Sequence, residues 1–474
     1  MNKLNQYLKL FALLFAITFT AFISACSDDD PPLPDNLVTF ESSTVGMDDD
    51  EEIVINVVLT RAVDVATNVE IQMSGEGVTY GEHFATSPAA TSNTLSVNIP
   101  SGRNTGSFTL IRDADTFLEG NEKITFMISD VGEPVLVGTS SQLILSFSAI
   151  VSEGSQVTLN GLIGGEPGSS AGNSVFVDFS NNQQTAIART AWDLGFYNGE
   201  DFRIIINNTA GASVIEVDNN DITTVDADDI NTDNLALGFG AGTFEIIDDP
   251  SGDLTNTAIP AISATADENK VYVINTVGGS GAIGATEDLV KVRILQSGDG
   301  YTLQYAKINE TTFTEVEIEK NTSYNFQYFS FATGTVDVEP VKNKWDLQWT
   351  WSIFQTENPP GSGSYLPYGF SDLVFTNHLA GTEVAEVLTS TIAYDDFAES
   401  DLSTLTFSAE KNAIGSSWRV TSPTTSAGVK TDRFYVVKDS SGNIYKLKFV
   451  SFHPNDGGTR GNPVLEYALV KKAS

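Results

Sequence analysis

The sequence predicts a mostly β protein, an N-terminal antiparallel sandwich followed by a larger, duplicated β domain. Three observations lead there. Short runs rich in Val, Ile, Thr, Phe and Tyr alternate apolar and polar side chains between turn residues, the pattern of strands with one buried face. Extended helical periodicity is scarce, and 39 glycines supply tight turns. An aromatic motif also returns with its flanking strands 153 residues later (345 − 192), which marks an internal repeat.

Taken in order, residues 1–25 read as a cleavable secretion signal. Lys3 and Lys9 give a positive start, residues 10–23 carry no charge, and small residues precede Cys26. The apolar run is short for a bilayer span, and Ser27-Asp28-Asp29-Asp30 ends it abruptly. Cys26 is the only cysteine, so no internal disulfide can form. Ile23-Ser24-Ala25-Cys26 resembles the lipobox of bacterial lipoproteins, which implies cleavage before Cys26 and a diacylglycerol thioether on it. Residues 26–36 form an acidic, proline-bearing tether that resembles the surface-export tag of some Gram-negative lipoproteins. The implied location is the bacterial outer membrane, lipid-anchored through Cys26 and facing the exterior.

Without the signal, 474 − 25 = 449 residues remain, enough for two or three domains. The formal charge of −37, from 62 acidic against 25 basic residues, repels nucleic acid and anionic lipid. Membrane contact is therefore expected through the lipid anchor only, and nucleic acid is not an expected partner.

Residues 37–151 carry about seven strand-like runs, among them Ile53-Val54-Ile55-Asn56-Val57-Val58-Leu59, Val69-Glu70-Ile71-Gln72-Met73 and Lys123-Ile124-Thr125-Phe126-Met127-Ile128. That is the size and rhythm of a small sandwich. Val97-Asn98-Ile99-Pro100-Ser101-Gly102, then Phe108-Thr109-Leu110, then the acidic stretch from Asp113 to Glu122 resemble a Calx-β domain. The resemblance makes Asp115, Glu119 and Glu122 candidate calcium ligands, hard oxygen donors on one loop. The family's calcium-binding members carry a further aspartate cluster on the last strand, and residues 143–151 hold no acid.

The remainder divides into two related units, 154–309 and 310–474. Trp192-Asp193-Leu194 recurs as Trp345-Asp346-Leu347, and three downstream strand segments recur in the same order. In each, basic residues alternate with Val, Ile or Phe, as in Val290-Lys291-Val292-Arg293-Ile294-Leu295, which predicts one buried and one solvated face. The tryptophans are expected in the core, each neighbouring Asp accepting a turn or backbone hydrogen bond. Whether the units fold separately or share sheets is open at this stage.

Residues 190–203, with Lys344-Trp345-Asp346-Leu347, Ile414-Gly415-Ser416-Ser417-Trp418-Arg419 and the stretch 433–469, resemble the HmuY family of haem-binding lipoproteins. The resemblance implies a non-enzymatic protein that takes up haem through two axial His or Met side chains and passes it to an outer-membrane haem receptor. All four methionines lie before residue 155, so methionine cannot serve from this region; only the histidines His378 and His453 fall in it, and tyrosine is a further type of side chain that can ligate ferric haem. A pocket of Tyr365, Tyr368, Phe370 and Trp418 would enclose the porphyrin. The alternative is a surface binding or adhesion lipoprotein that keeps the fold without the iron ligands and takes another small ligand or a polymer.

Overall fold

The computed structural model describes residues 35–47, 52–113, 122–147, 153–238, 241–276 and 283–473. Two five-stranded sheets form the N-terminal sandwich. One runs in the order Phe84–Ser87, Thr105–Arg112, Glu52–Leu59, Leu37–Phe40, Leu136–Val137. The other runs Thr44–Gly46, Gln142–Ser146, Lys123–Val131, Thr67–Glu76, Thr94–Ile99. Alternation along the strands decides the faces. Ile53, Ile55, Val57 and Leu59 point inward from one strand, while Phe108 and Phe126 meet in the core with ring centroids 5.1 Å apart. The strands number ten among the described residues rather than seven, because short segments add two parallel pairs, Leu37–Phe40 with Leu136–Val137 and Thr44–Gly46 with Gln142–Ser146. The proposed calcium ligands Asp115 and Glu119, like Cys26 and the signal, lie outside the described residues.

The larger domain answers the question the repeat left open, since its two halves exchange strands. The sheet of the first half orders Ser213–Val217, Val271–Asn275, Val290–Ser297, Gly300–Lys307 and Thr314–Ile318, the last being the opening strand of the second half. The sheet of the second half repeats that order with Glu383–Leu388, Arg433–Lys438, Ile444–Ser451, Val464–Lys471 and Gly154–Thr158, the opening strand of the first half. Two further sheets are shared in the same reciprocal way. Leu194–Tyr197 pairs with Phe326–Ser330, and Leu347–Glu357 with Asn173–Asp178. The division at 309/310 is therefore a boundary in sequence, but backbone hydrogen bonds cross it in both directions.

The Trp-Asp-Leu motifs show why the exchange is specific. Asp193 accepts the amide of Phe331 at 2.8 Å and Asp346 that of Phe179 at 2.8 Å, so each carboxylate closes the end of a strand from the other half. Trp192 packs edge-on against Tyr328 at 4.9 Å and Trp345 against Phe176 at 5.0 Å, again across the halves.

One expectation fails. Lys291 is buried, not solvated, and donates to the carbonyls of Val225 and Glu310, the latter at 2.6 Å. The segment 218–270 folds over that face and builds a second core there from Ile222, Val225, Leu235, Val271 and Val273. Residues 389–432 cover the equivalent face of the other sheet, around Tyr394, Phe397 and Phe434. Both covering segments also reach the site described next.

The sandwich meets the larger domain through polar contacts. Glu41 accepts from Asn56 at 2.7 Å and from Asn160 at 2.8 Å, and Asn182 donates to Thr44 at 2.9 Å. Among the described residues no helix is long and apolar enough to cross a membrane.

Candidate functional site

Two turns of the same sequence pattern flank a cleft between the halves. Asn207-Asn208-Thr209-Ala210-Gly211 and Asn377-His378-Leu379-Ala380-Gly381 each follow a strand and turn the chain through a left-handed glycine, with φ of +79° at Gly211 and +93° at Gly381. In each turn the first Asn donates to the carbonyl of its own half's motif tryptophan. Asn207 reaches Trp192 at 2.6 Å and Asn377 reaches Trp345 at 2.9 Å. Asn207 and Asn377 also hold the carbonyls of Arg189 and Lys342, three residues before each tryptophan. Repeated sequence thus fixes repeated geometry, and His378 occupies in one half the place of Asn208 in the other.

The cleft has a volume of about 840 Å³ including its open mouth. Phe176, Trp192, Phe326, Tyr328 and Trp345 wall it, and the indole N–H of Trp345 is buried with no hydrogen-bond partner among the described residues. A polar group sits at either side. On one, Glu339 accepts the amide of Phe326 at 2.8 Å and lies 3.4 Å from the Tyr328 hydroxyl. Burial, only partly offset by these bonds, pushes its carboxyl up to about 7. On the other, Asp248 accepts the amides of Ile206 at 2.7 Å and Ala258 at 3.0 Å, and burial raises it to about 7.

Beside Asp248 stand His378 and Lys411. The imidazole Nε2 lies 3.2 Å from the carbonyl oxygen of Gly252. Burial first, and then the nearby Lys411 charge, lower the ring to about 4, so it is neutral at physiological pH. The Lys411 ammonium lies 4.7 Å from the centre of the Phe375 ring. A β-carbon on Gly252 would come within 2.8 Å of the Lys411 stem and 2.9 Å of the imidazole, so both side chains pack down on that backbone. Gly252 also has φ of +84°, which disfavours any other residue.

The residues singled out from sequence divide sharply. His378 lies in the cleft. His453 does not, because its Nδ1 accepts the amide of Asn455 at 3.2 Å and caps the short turn Pro454–Asp456, and no residue of that turn lines the cleft. The two histidines are not brought together there. The expected aromatic lining is also corrected. Trp418 is core, stacked on Phe449 at 4.2 Å, while Tyr365 is exposed and Tyr368 packs with Phe370 at 5.7 Å, and none of the four lines the cleft. The aromatic walls come instead from Trp192, Trp345 and the strands they cross. Glu122 immediately precedes Lys123–Val131, the central strand of its sheet, and its backbone carbonyl accepts from the Phe147 amide at 3.1 Å. Among the described residues no three His, Cys, Asp or Glu side chains are grouped so as to hold a metal ion.

Comparison with known proteins gives one family. Residues 170–467 match the family described as HmuY protein. No curated protein sequence matches the chain. Among solved structures it is similar to the apo-form Calx CBD1 domain, with 15% identity, TM-score 0.21, and coverage of 24% of this chain and 97% of that one. It is also similar to CBD12 from CALX1.2, with 12% identity, TM-score 0.20 and coverage of 32% and 74%. A two-domain protein of unknown function from Bacteroides fragilis NCTC 9343 is 10% identical, with TM-score 0.18 and coverage of 40% and 74%.

Proposed function

Because the chain belongs to the HmuY family over residues 170–467, we propose that it is a non-enzymatic haem-capturing protein whose binding site is the cleft between its two halves. The observation that carries this is His378, a neutral imidazole placed at an aromatic-walled cleft. Bound haem would supply a ferric iron for that nitrogen and a broad apolar surface to be taken out of water. The donor set fits with a single protein ligand. Among the described residues no second His and no Met lines the cleft, so His378 would act alone, with its Nε2 giving up the Gly252 carbonyl. Trp192, Trp345, Phe176 and Phe326 would exclude water from the apolar body. Within the same proposal, a lipid on Cys26 tethers the protein to the outer membrane with the sandwich as spacer, and an outer-membrane receptor takes the haem onward.

One observation favours a second reading, a non-haem small ligand. Even with Asp248 and Glu339 holding their protons, Asp249 and Asp253 outnumber Lys411 among the described lining residues, an acidic balance for a ligand that is itself dianionic. Titration of the purified protein with hemin separates the two. Haem capture is expected to give a Soret band that saturates at one equivalent. Absorbance that rises without a break past one equivalent would leave the second reading.

A further inference from the structure

Among the described residues that line the cleft, Lys411 is the one lysine or arginine. Lys411 comes from the segment 389–432 that covers the second sheet, and its stem is held by packing against Gly252. Among the described residues, none accepts a hydrogen bond from its Nζ, whose close neighbour is the face of Phe375 at 4.7 Å. The carboxylates that might have claimed it are engaged elsewhere. Asp248 takes two backbone amides, and Asp249 accepts from Ser251 at 2.8 Å and Asn256 at 2.9 Å. Asp248 and Asp249 act on the ammonium through charge alone, so its three donors are left for water or for an acceptor that enters the cleft.

We infer that Lys411 anchors a carboxylate of the ligand in the cleft, so the site selects flat apolar molecules that carry an acid group. This rests on the reading of the cleft as the ligand site and names what that ligand must bring. The ring face and the carboxylate act on the ammonium together, the first through its quadrupole and the second through charge-assisted hydrogen bonds.

The test compares hemin with its dimethyl ester, which keeps the iron and the ring but has no carboxylate. The purified wild-type protein is expected to bind hemin roughly tenfold more tightly than the ester, the worth of one charge-assisted bond. Lys411→Met is expected to bring the two affinities together by weakening hemin alone, and Lys411→Arg to keep them apart. Equal affinities in the wild type would overturn the inference even if Lys411→Met failed to fold, and so would a preference that survives in Lys411→Met. If neither compound gives a saturable spectrum with the wild type, the haem reading itself falls, and the inference with it.

Discussion

Asn377→Ala is expected to destabilise the larger domain by about 3 kcal/mol, since it strips partners from two buried groups at roughly 1–3 kcal/mol each. The side chain donates to the carbonyl of Trp345 at 2.9 Å and accepts from the Asn325 amide at 2.9 Å, and Asn325 and Asn377 are both buried. Truncation removes the partner of both and loosens the tryptophan that packs across the halves. Its counterpart Asn207→Ala removes the same kind of bond to Trp192 at 2.6 Å and should cost a similar amount. Urea unfolding followed by tryptophan fluorescence reads both, and a shift below 1 kcal/mol in either would show that the paired turns are not what locks the exchange.

The second large effect concerns pH. Glu339 and Asp248 are both raised to about 7 in the folded protein, from ordinary values of 4.5 and 3.8. The fold therefore holds a proton on each that the unfolded chain releases. The stability those protons confer is complete below pH 4 and is lost as pH rises to about 7. His378 acts the other way, because its folded value of about 4 lies below the ordinary 6.5. Its contribution is present above pH 6.5 and fades as pH falls toward 4, so it offsets one of the two acids over that range. The net expectation is a larger domain that becomes easier to unfold between pH 5 and pH 8. Glu339→Gln keeps the shape and an acceptor for Phe326 but has no proton to release. Its loss of stability over that interval should be smaller than the wild type's by about 2–3 kcal/mol. Parallel pH profiles of urea midpoints would contradict the assignment.

The strands of the repeat were legible in the sequence because they carry period-two alternation and because Trp-Asp-Leu recurs with them. The matched segments at 271–274 and 434–437, at 290–295 and 445–450, and at 301–306 and 464–469 occupy equivalent positions in the two sheets. The exchange was not legible. Gly154–Thr158 and Thr314–Ile318 are short, polar edge strands with no motif, and nothing in them states which half they close. His378 was found as a residue but not by its place. The signal was present in the second repeat, Asn-x-x-Ala-Gly, which aligns His378 with Asn208 and both with the tryptophans. Asp248 and Lys411 had no such signal. They arrive from the two covering segments, which have no counterpart motif, and only the folded chain sets them beside His378. His453 shows the converse, since Pro, Asn, Asp and Gly after a histidine made a turn that the imidazole itself caps.

The most direct test of the cleft as a haem site with one protein ligand is a hemin titration of three proteins side by side: wild type, His378→Ala and His453→Ala. The wild type and His453→Ala should give the same saturating Soret spectrum, and His378→Ala should lose it. Loss of the spectrum in His453→Ala, or its survival in His378→Ala, would place the iron somewhere other than this cleft.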